Sequence, residues 1–158
     1  MKRGFLFAGQ GAQCAGMGKE LFHMFPESRD IFERADKALG FSLSRLCFEG
    51  PMEELTLTRN CQPAVLTASI AAFAAFKSVG KQKGIDLRLD SGDFSAAGLS
   101  LGEYSALVAA GAMEFEDAVN LVRLRGIYME EEAARKPGGM LSIIGLDLPS
   151  VKELCSRT

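Results

Sequence analysis

The stretch from Phe94 to Ala112 reads FSAAGLSLGEYSALVAAGA and constrains the fold more than any other. A short apolar run leads into Gly98-Leu99-Ser100-Leu101-Gly102, and an amphipathic helical pattern follows. Glycine on each side of Ser100 lets a strand turn sharply into a helix without a Cβ clash. In that geometry the serine oxygen points outward at the helix N-terminus. The backbone N–H of Leu101 aims at the same spot and can stabilise an oxyanion. A plainer reading also stands: Ser100 as an N-cap on an ordinary turn.

The rest of the chain supplies partners for such a unit. GFLFAG (Gly4 to Gly9) fits a second buried strand. PESRDIFERADKAL predicts a helix over 26–39, started by Pro26 and ended by Gly40. SLSRLCFEG and PMEELTLT predict two short helices broken at Gly50-Pro51. QPAVLTASIAAFAAFKSVG predicts a helix over 62–80 that is apolar nearly all round, hence deeply packed. FEDAVNLVRLRGIYMEEEAAR predicts a long amphipathic helix over 115–135, broken by KPGG. GMLSIIGLD then reads as a strand and LPSVKELCSRT as a helix. Strands alternating with helices indicate an α/β domain with parallel strands. The last strand and helix begin a unit with few partners, as in a chain cut inside a second subdomain.

Composition narrows the function classes. A net charge of −2 gives no electrostatic case for nucleic acid or an anionic membrane. Cys14, Cys47, Cys61 and Cys155 are too far apart for a C-x-x-C motif, so they read as reduced thiols, and no metal site is expected. The N-terminal run Phe5 to Ala8 is too short for a signal peptide. The most apolar segment, Ala64 to Phe76, falls short of the roughly 20 residues that span a bilayer. The expectation is a soluble, cytoplasmic protein. Lys77, Lys81, Lys83 and Arg88 read as a solvated loop, with contact to an acidic partner as the alternative.

Two further features bear on chemistry. GQGAQ, Gly9 to Gln13, follows the first strand directly. It is neither a dinucleotide fingerprint nor a P-loop, because Cys14 and Glu20 occupy the decisive positions. Its backbone N–H groups can cradle an anion or a polarised carbonyl, or it is simply a turn. Arg125 shares a helix face with Ala118, Leu121, Val122, Tyr128 and Met129, whereas Arg123 lies on a more polar side. An arginine among apolar residues needs a partner. Its fork suits a carboxylate, either internal (Glu103 or Asp117) or on a substrate. The single histidine, His23, sits in ELFHMF and reads as packing or surface rather than as a base for Ser100.

FAGQGAQ, NCQPAVLTAS, GLSLGEYSALVAAGAMEFEDAVNLVRLRG and GGMLSIIGLD occur in this order and spacing from about Phe5 to Asp147. The chain resembles the malonyl-CoA:acyl-carrier-protein transacylases, and more broadly the acyltransferase domains of fatty-acid and polyketide synthases. The resemblance covers about the first half of such an enzyme. It implies a hydrolase-like α/β acyltransferase core over 1–135. Residues 136–158 would then be the first strand and helix of a truncated ferredoxin-like small subdomain. It implies Ser100 as the nucleophile, the N–H groups of Gln10 and Leu101 as the oxyanion hole, and Arg125 as the clamp on the malonyl carboxylate. No cofactor is implied; the partners are malonyl-CoA and acyl carrier protein. Gln62 falls in the QPA segment near the site and takes no firm role.

Two departures accompany the resemblance. The residue before the serine is commonly histidine in the family and is Leu99 here, which bears on packing or acyl selectivity rather than on the base. The family's catalytic histidine comes after the IIGLD segment, and this sequence ends at Thr158 before reaching it. The piece by itself is thus expected to be weakly active or inactive. A serine thioesterase or hydrolase, and a non-catalytic split module that binds acyl carrier protein, remain as alternatives.

Overall fold

Two five-residue strands carry the fold, β1 (Arg3–Phe7) and β2 (Phe94–Gly98). They pair in parallel, in register from Arg3 opposite Phe94 to Phe7 opposite Gly98. Parallel strands need a long crossover. Here it runs through α1 (Lys19–Met24), α2 (Pro26–Leu39), α3 (Leu43–Glu49), α4 (Met52–Thr56) and α5 (Thr58–Gln82). After β2 come α6 (Leu101–Ala109), α7 (Phe115–Arg135) and α8 (Leu148–Ser156). This computed structural model describes residues 3–85, 94–136, 138 and 143–157. The strand expected over 139–147 falls partly outside the described residues; Ile143 to Asp147 carry no strand. Arg88 also lies outside them.

The side chains of the two strands alternate between faces, as the period of two requires. Phe5 meets Phe73 and Phe76 of α5 and Phe94 of β2 edge-on, with ring centroids 5.2–5.7 Å apart. Leu6 points the other way and is 87% exposed. One sheet face therefore packs on α5, and among the described residues none covers Leu6 on the other.

α5 is the central helix, flanked by α2, α6 and α7. Leu66, Cys61, Ala64 and Ala71 are fully buried along it. It spans 25 residues, more than the 62–80 read from the sequence. By length and composition it could cross a membrane, contrary to the expectation for this segment. In this fold its apolar surface packs against the surrounding helices, with Phe32, Leu43, Leu55, Leu101, Val119 and Val122 completing the core. The Ser28 hydroxyl donates to the Ala71 carbonyl at 2.8 Å and pins α2 to α5. Arg34 grips Glu116 through two hydrogen bonds of 2.6 and 2.9 Å and pins α2 to the start of α7.

The early start of α5 comes from α7. The Glu130 carboxylate accepts the Arg59 N–H at 2.9 Å, satisfying a first-turn donor that helices otherwise leave orphaned. The same carboxylate pairs with the Arg59 guanidinium at 3.0 Å. The helices can come this close because residue 126 is glycine. A Cβ there would lie 2.7 Å from the Arg59 Cα and the Thr58 carbonyl oxygen.

Candidate active site

Both strands end at the same edge of the sheet, so the loops after β1 and β2 emerge side by side. Ligands of open α/β sheets bind beyond the carboxyl ends of the strands. A Cβ on Gly9 would lie 3.0 Å from the Leu99 carbonyl oxygen, which shows how closely the two loops run.

Ser100 occupies the turn between β2 and α6 at φ 55°, ψ −107°, the one positive-φ non-glycine residue among those described. Such backbone costs of order 1–3 kcal/mol and persists only where its surroundings enforce it. They do so here. A Cβ on Gly98 would stand 2.7 Å from the Glu103 N, and one on Gly102 would collide with the Phe7 carbonyl. The Glu103 carboxylate accepts the Ser100 N–H at 2.9 Å. Ser100 and Glu103 stand as the two ends of a capping box at the start of α6. The Ser100 oxygen also accepts from Arg125 Nη2 at 2.9 Å, so the same serine that caps α6 faces an arginine.

Leu101 is the first residue of α6, and its N–H has no intrahelical acceptor. Its side chain is fully buried, which anchors the turn. Gln10 is exposed in the loop after β1. Its side-chain amide donates to Thr58 Oγ1 at 3.4 Å. Further along the loop, Gln13 Oε1 accepts the Gly11 N–H at 2.9 Å and the Cys61 thiol at 3.1 Å. The first turn of α5 thus braces the whole GQGAQ loop. Burial pushes the Cys61 thiol up from its ordinary value, and the Gly11 N–H partly offsets this. Burial pushes Cys47 up to about 12.

Arg125 reaches the serine from α7. Glu103 and Asp117, its expected internal partners, do not hold it. Glu103 is engaged with the Ser100 backbone, and among the described residues no carboxylate forms an ion pair with Arg125. Its Nη1 donates to Gln62 Oε1 at 2.8 Å, and its guanidinium lies 5.8 Å from the centre of the Tyr104 ring. Beside it an open groove of about 460 Å³ is lined by Leu121, Leu124, Tyr128 and Met129. Arg123 is less solvated than expected. It lies 4.5 Å over the Phe41 ring and donates to Asn60 at 3.3 Å, and burial pulls its pKa down.

His23 is exposed, packs edge-on against Phe22, and makes no hydrogen bond to Ser100. Leu99, next to the nucleophile, is 81% exposed. Lys77 and Lys81 line a separate cavity between α2 and α5 with Glu27 and Asp30. That cavity is some 15 residues further along α5 than Gln62, which is about 22 Å at helical rise.

Gln62, which the sequence placed near the site without a role, is given one by its contacts. It is fully buried, donates to Met129 Sδ at 3.3 Å and to Gln10 Oε1 at 3.4 Å, and holds Arg125. A signal was available: an amide in the most apolar helix of the chain must find hydrogen-bond partners there.

The chain matches the family model of the acyl transferase domain over residues 4–154. It is 49% identical over 156 residues to the malonyl CoA-acyl carrier protein transacylase of Bacillus subtilis (strain 168), covering 99% of this chain and 46% of that protein. It is 42% identical over 153 residues to the Escherichia coli (strain K12) protein of the same name, covering 97% and 47%. Among solved structures, the transacylase of Clostridium perfringens superposes with a TM-score of 0.82 at 41% identity, covering 99% and 46%. A malonyl-transacylase in complex with a type II PKS acyl-carrier protein gives a TM-score of 0.80 at 39% identity, covering 99% and 48%. The chain spans about half the length of the curated relatives it matches. The parallel α/β sheet that carries the serine elbow is thus the fold of these proteins, and the chain belongs to the acyl transferase domain family.

Proposed function

We propose that the protein transfers a malonyl group from malonyl-CoA to the pantetheine thiol of acyl carrier protein, for fatty-acid or polyketide synthesis. One observation carries this reading. A guanidinium that has no carboxylate partner among the described residues lies 2.9 Å from the oxygen of a serine on a strained elbow.

The chemistry is covalent, two-step acyl transfer. Ser100 Oγ attacks the thioester carbonyl, and its proton passes to a base. The oxyanion is received by the N–H groups of Gln10 and Leu101. The C–S bond breaks, and the proton goes to the departing CoA sulfur. The pantetheine thiol then attacks the malonyl-serine ester by the reverse sequence. Arg125 holds the free carboxylate, so acyl groups without one leave its charge unpaired. His23 does not serve as the base. We place a histidine base, with the remainder of a ferredoxin-like small subdomain, in the half of such a protein that this chain does not span. The reading includes a cytoplasmic location, in keeping with its bacterial relatives.

Intact-mass analysis after incubation with malonyl-CoA tests the proposal. A malonyl adduct on Ser100 is expected, slow in the chain alone and faster with added imidazole standing in for the base. Ser100→Ala should abolish it. No adduct under any base condition, or a rapid adduct unaffected by Ser100→Ala, would count against it. Release of the adduct by a pantetheine thiol rather than by water separates a transferase from a hydrolase.

A further inference from the structure

We infer that Gln62 is the positioning residue that sets acyl selectivity, by holding the Arg125 guanidinium and the Gln10 loop at a fixed separation. The inference rests on the acyl-transfer reading and adds to it a specific device.

Arginine can only donate, so the Gln62 oxygen must face Arg125 Nη1. The Gln62 amide nitrogen is then committed to the opposite side, toward Gln10 Oε1 and Met129 Sδ. That in turn orients the Gln10 nitrogen toward Thr58 Oγ1. Arg125, Gln62, Gln10 and Thr58 therefore form a chain in which every bond donates in the same direction. Bonds in such a chain polarise one another. Gln62 is fully buried, so neither end of its amide can exchange its partner for bulk water without cost.

The grip on Nη1 has a geometric consequence. Nη2 reaches Ser100, and Nε donates to none of the described residues. The Nη2–Nε edge of the fork is thus the edge turned toward the nucleophile. A planar guanidinium binds a carboxylate through two parallel N–H bonds only when its rotation is right. Gln62 fixes that rotation from the far side. Its other end steadies the side chain of Gln10, whose backbone N–H is assigned to the oxyanion. One amide thereby sets where the malonyl carboxylate and the thioester carbonyl stand relative to each other.

Nuclear magnetic resonance on the ¹⁵N-labelled chain tests this without turnover. The probe is monomethyl malonate, which has the free carboxylate and an unreactive ester carbonyl; methyl acetate is the control without a carboxylate. In the unaltered chain, monomethyl malonate should shift the Arg125 Nε–H signal and the Gln10 side-chain amide together, and methyl acetate should shift neither. Gln62→Met keeps the volume and removes both bonds. It should weaken monomethyl malonate binding at Arg125 by roughly tenfold or more, as for a lost hydrogen bond to a charged group, and uncouple the Gln10 amide. Gln62→Glu places a competing carboxylate against Arg125 without a donor toward Gln10. It should suppress the Arg125 response, and it decides the matter if the methionine variant does not fold. Unchanged affinity and an unchanged Gln10 shift in a folded Gln62 variant overturn the inference alone. No Arg125 response in the unaltered chain overturns the acyl-transfer reading with it.

Discussion

At the scale of single residues, Arg125 combines charge with shape. It contacts Ser100 through one nitrogen and Gln62 through another, a two-handed grip that a lysine ammonium cannot reproduce. Arg125→Lys should keep the chain folded and lower malonyl labelling of Ser100 by about 10- to 100-fold, with acetyl labelling little changed; parallel mass measurements with the two thioesters check it. The cysteines give a second residue-scale test. Cys14 is exposed in the loop after β1, whereas Cys47 and Cys61 are buried with their thiols pushed up. Iodoacetamide at pH 8 should modify Cys14 in the folded chain and reach Cys47 and Cys61 only after unfolding, as peptide mapping would show. Glycine punctuation drew attention to Ser100, Leu101 and the GQGAQ loop, and a lone cation on an apolar face to Arg125, because these are local signals; naming Gln10 within that loop took the family resemblance. The partner of Arg125 was not legible in the sequence. An internal acid looked natural until the backbone showed Glu103 bonded to the Ser100 N–H.

At the scale of elements, packing between α5 and α7 decides the site. Gly126→Ala would press a methyl into the Arg59 backbone and push the helices apart, costing about 1–3 kcal/mol. Thermal melting should show the loss, and malonyl labelling should fall further than the loss of stability explains, because Arg125 is the adjacent residue. The Arg34–Glu116 pair between α2 and α7 supplies a pH test. The Arg34 guanidinium holds the Glu116 carboxyl below its ordinary 4.5. A carboxyl depressed on folding stabilises above its unfolded value and loses that contribution as pH falls through the folded one. Glu116→Gln should therefore lower the melting temperature slightly at pH 7, by an amount worth less than about 1 kcal/mol for so exposed a pair, and the difference should shrink as the pH is taken down through the folded carboxyl's titration. The sequence placed α2 at 26–39 and α7 at 115–135, as observed, since Pro26, Gly40 and the Lys136-Pro137 break are written into the chain. It started α5 four residues late. The cap that begins that helix is Glu130, 71 positions downstream, and no local pattern could reveal it.

At the scale of the whole molecule, the described residues cover the sheet on one face only. Phe5, Phe7 and Phe94 pack inward, whereas Leu6 stands 87% exposed on the other face. Apolar side chains left open on a sheet face bind hydrophobic dyes. The chain should enhance anilinonaphthalene-sulfonate fluorescence while giving a native helical circular dichroism spectrum, and Leu6→Ser should reduce the dye signal without lowering the melting temperature. The α/β class and the parallel pairing were readable from the alternation of elements. That the described residues would cover one face only was not, since a five-residue strand gives the same apolar pattern whether one face or both are covered.

The Glu130 cap on α5 also carries a clock. The ribosome releases the loop after β1 and the start of α5 long before residue 130 exists, at roughly 5–20 residues per second. Until α7 has been made and docked, the turn holding Thr58, Cys61 and Gln62 lacks its cap. The two loops of the site can form early, but the helix turn that braces one of them and grips the arginine is among the last pieces to set. Long-range contacts of this sort also slow folding. In a growing chain, the contact between Gln62 and Arg125 therefore waits for α7 to be made.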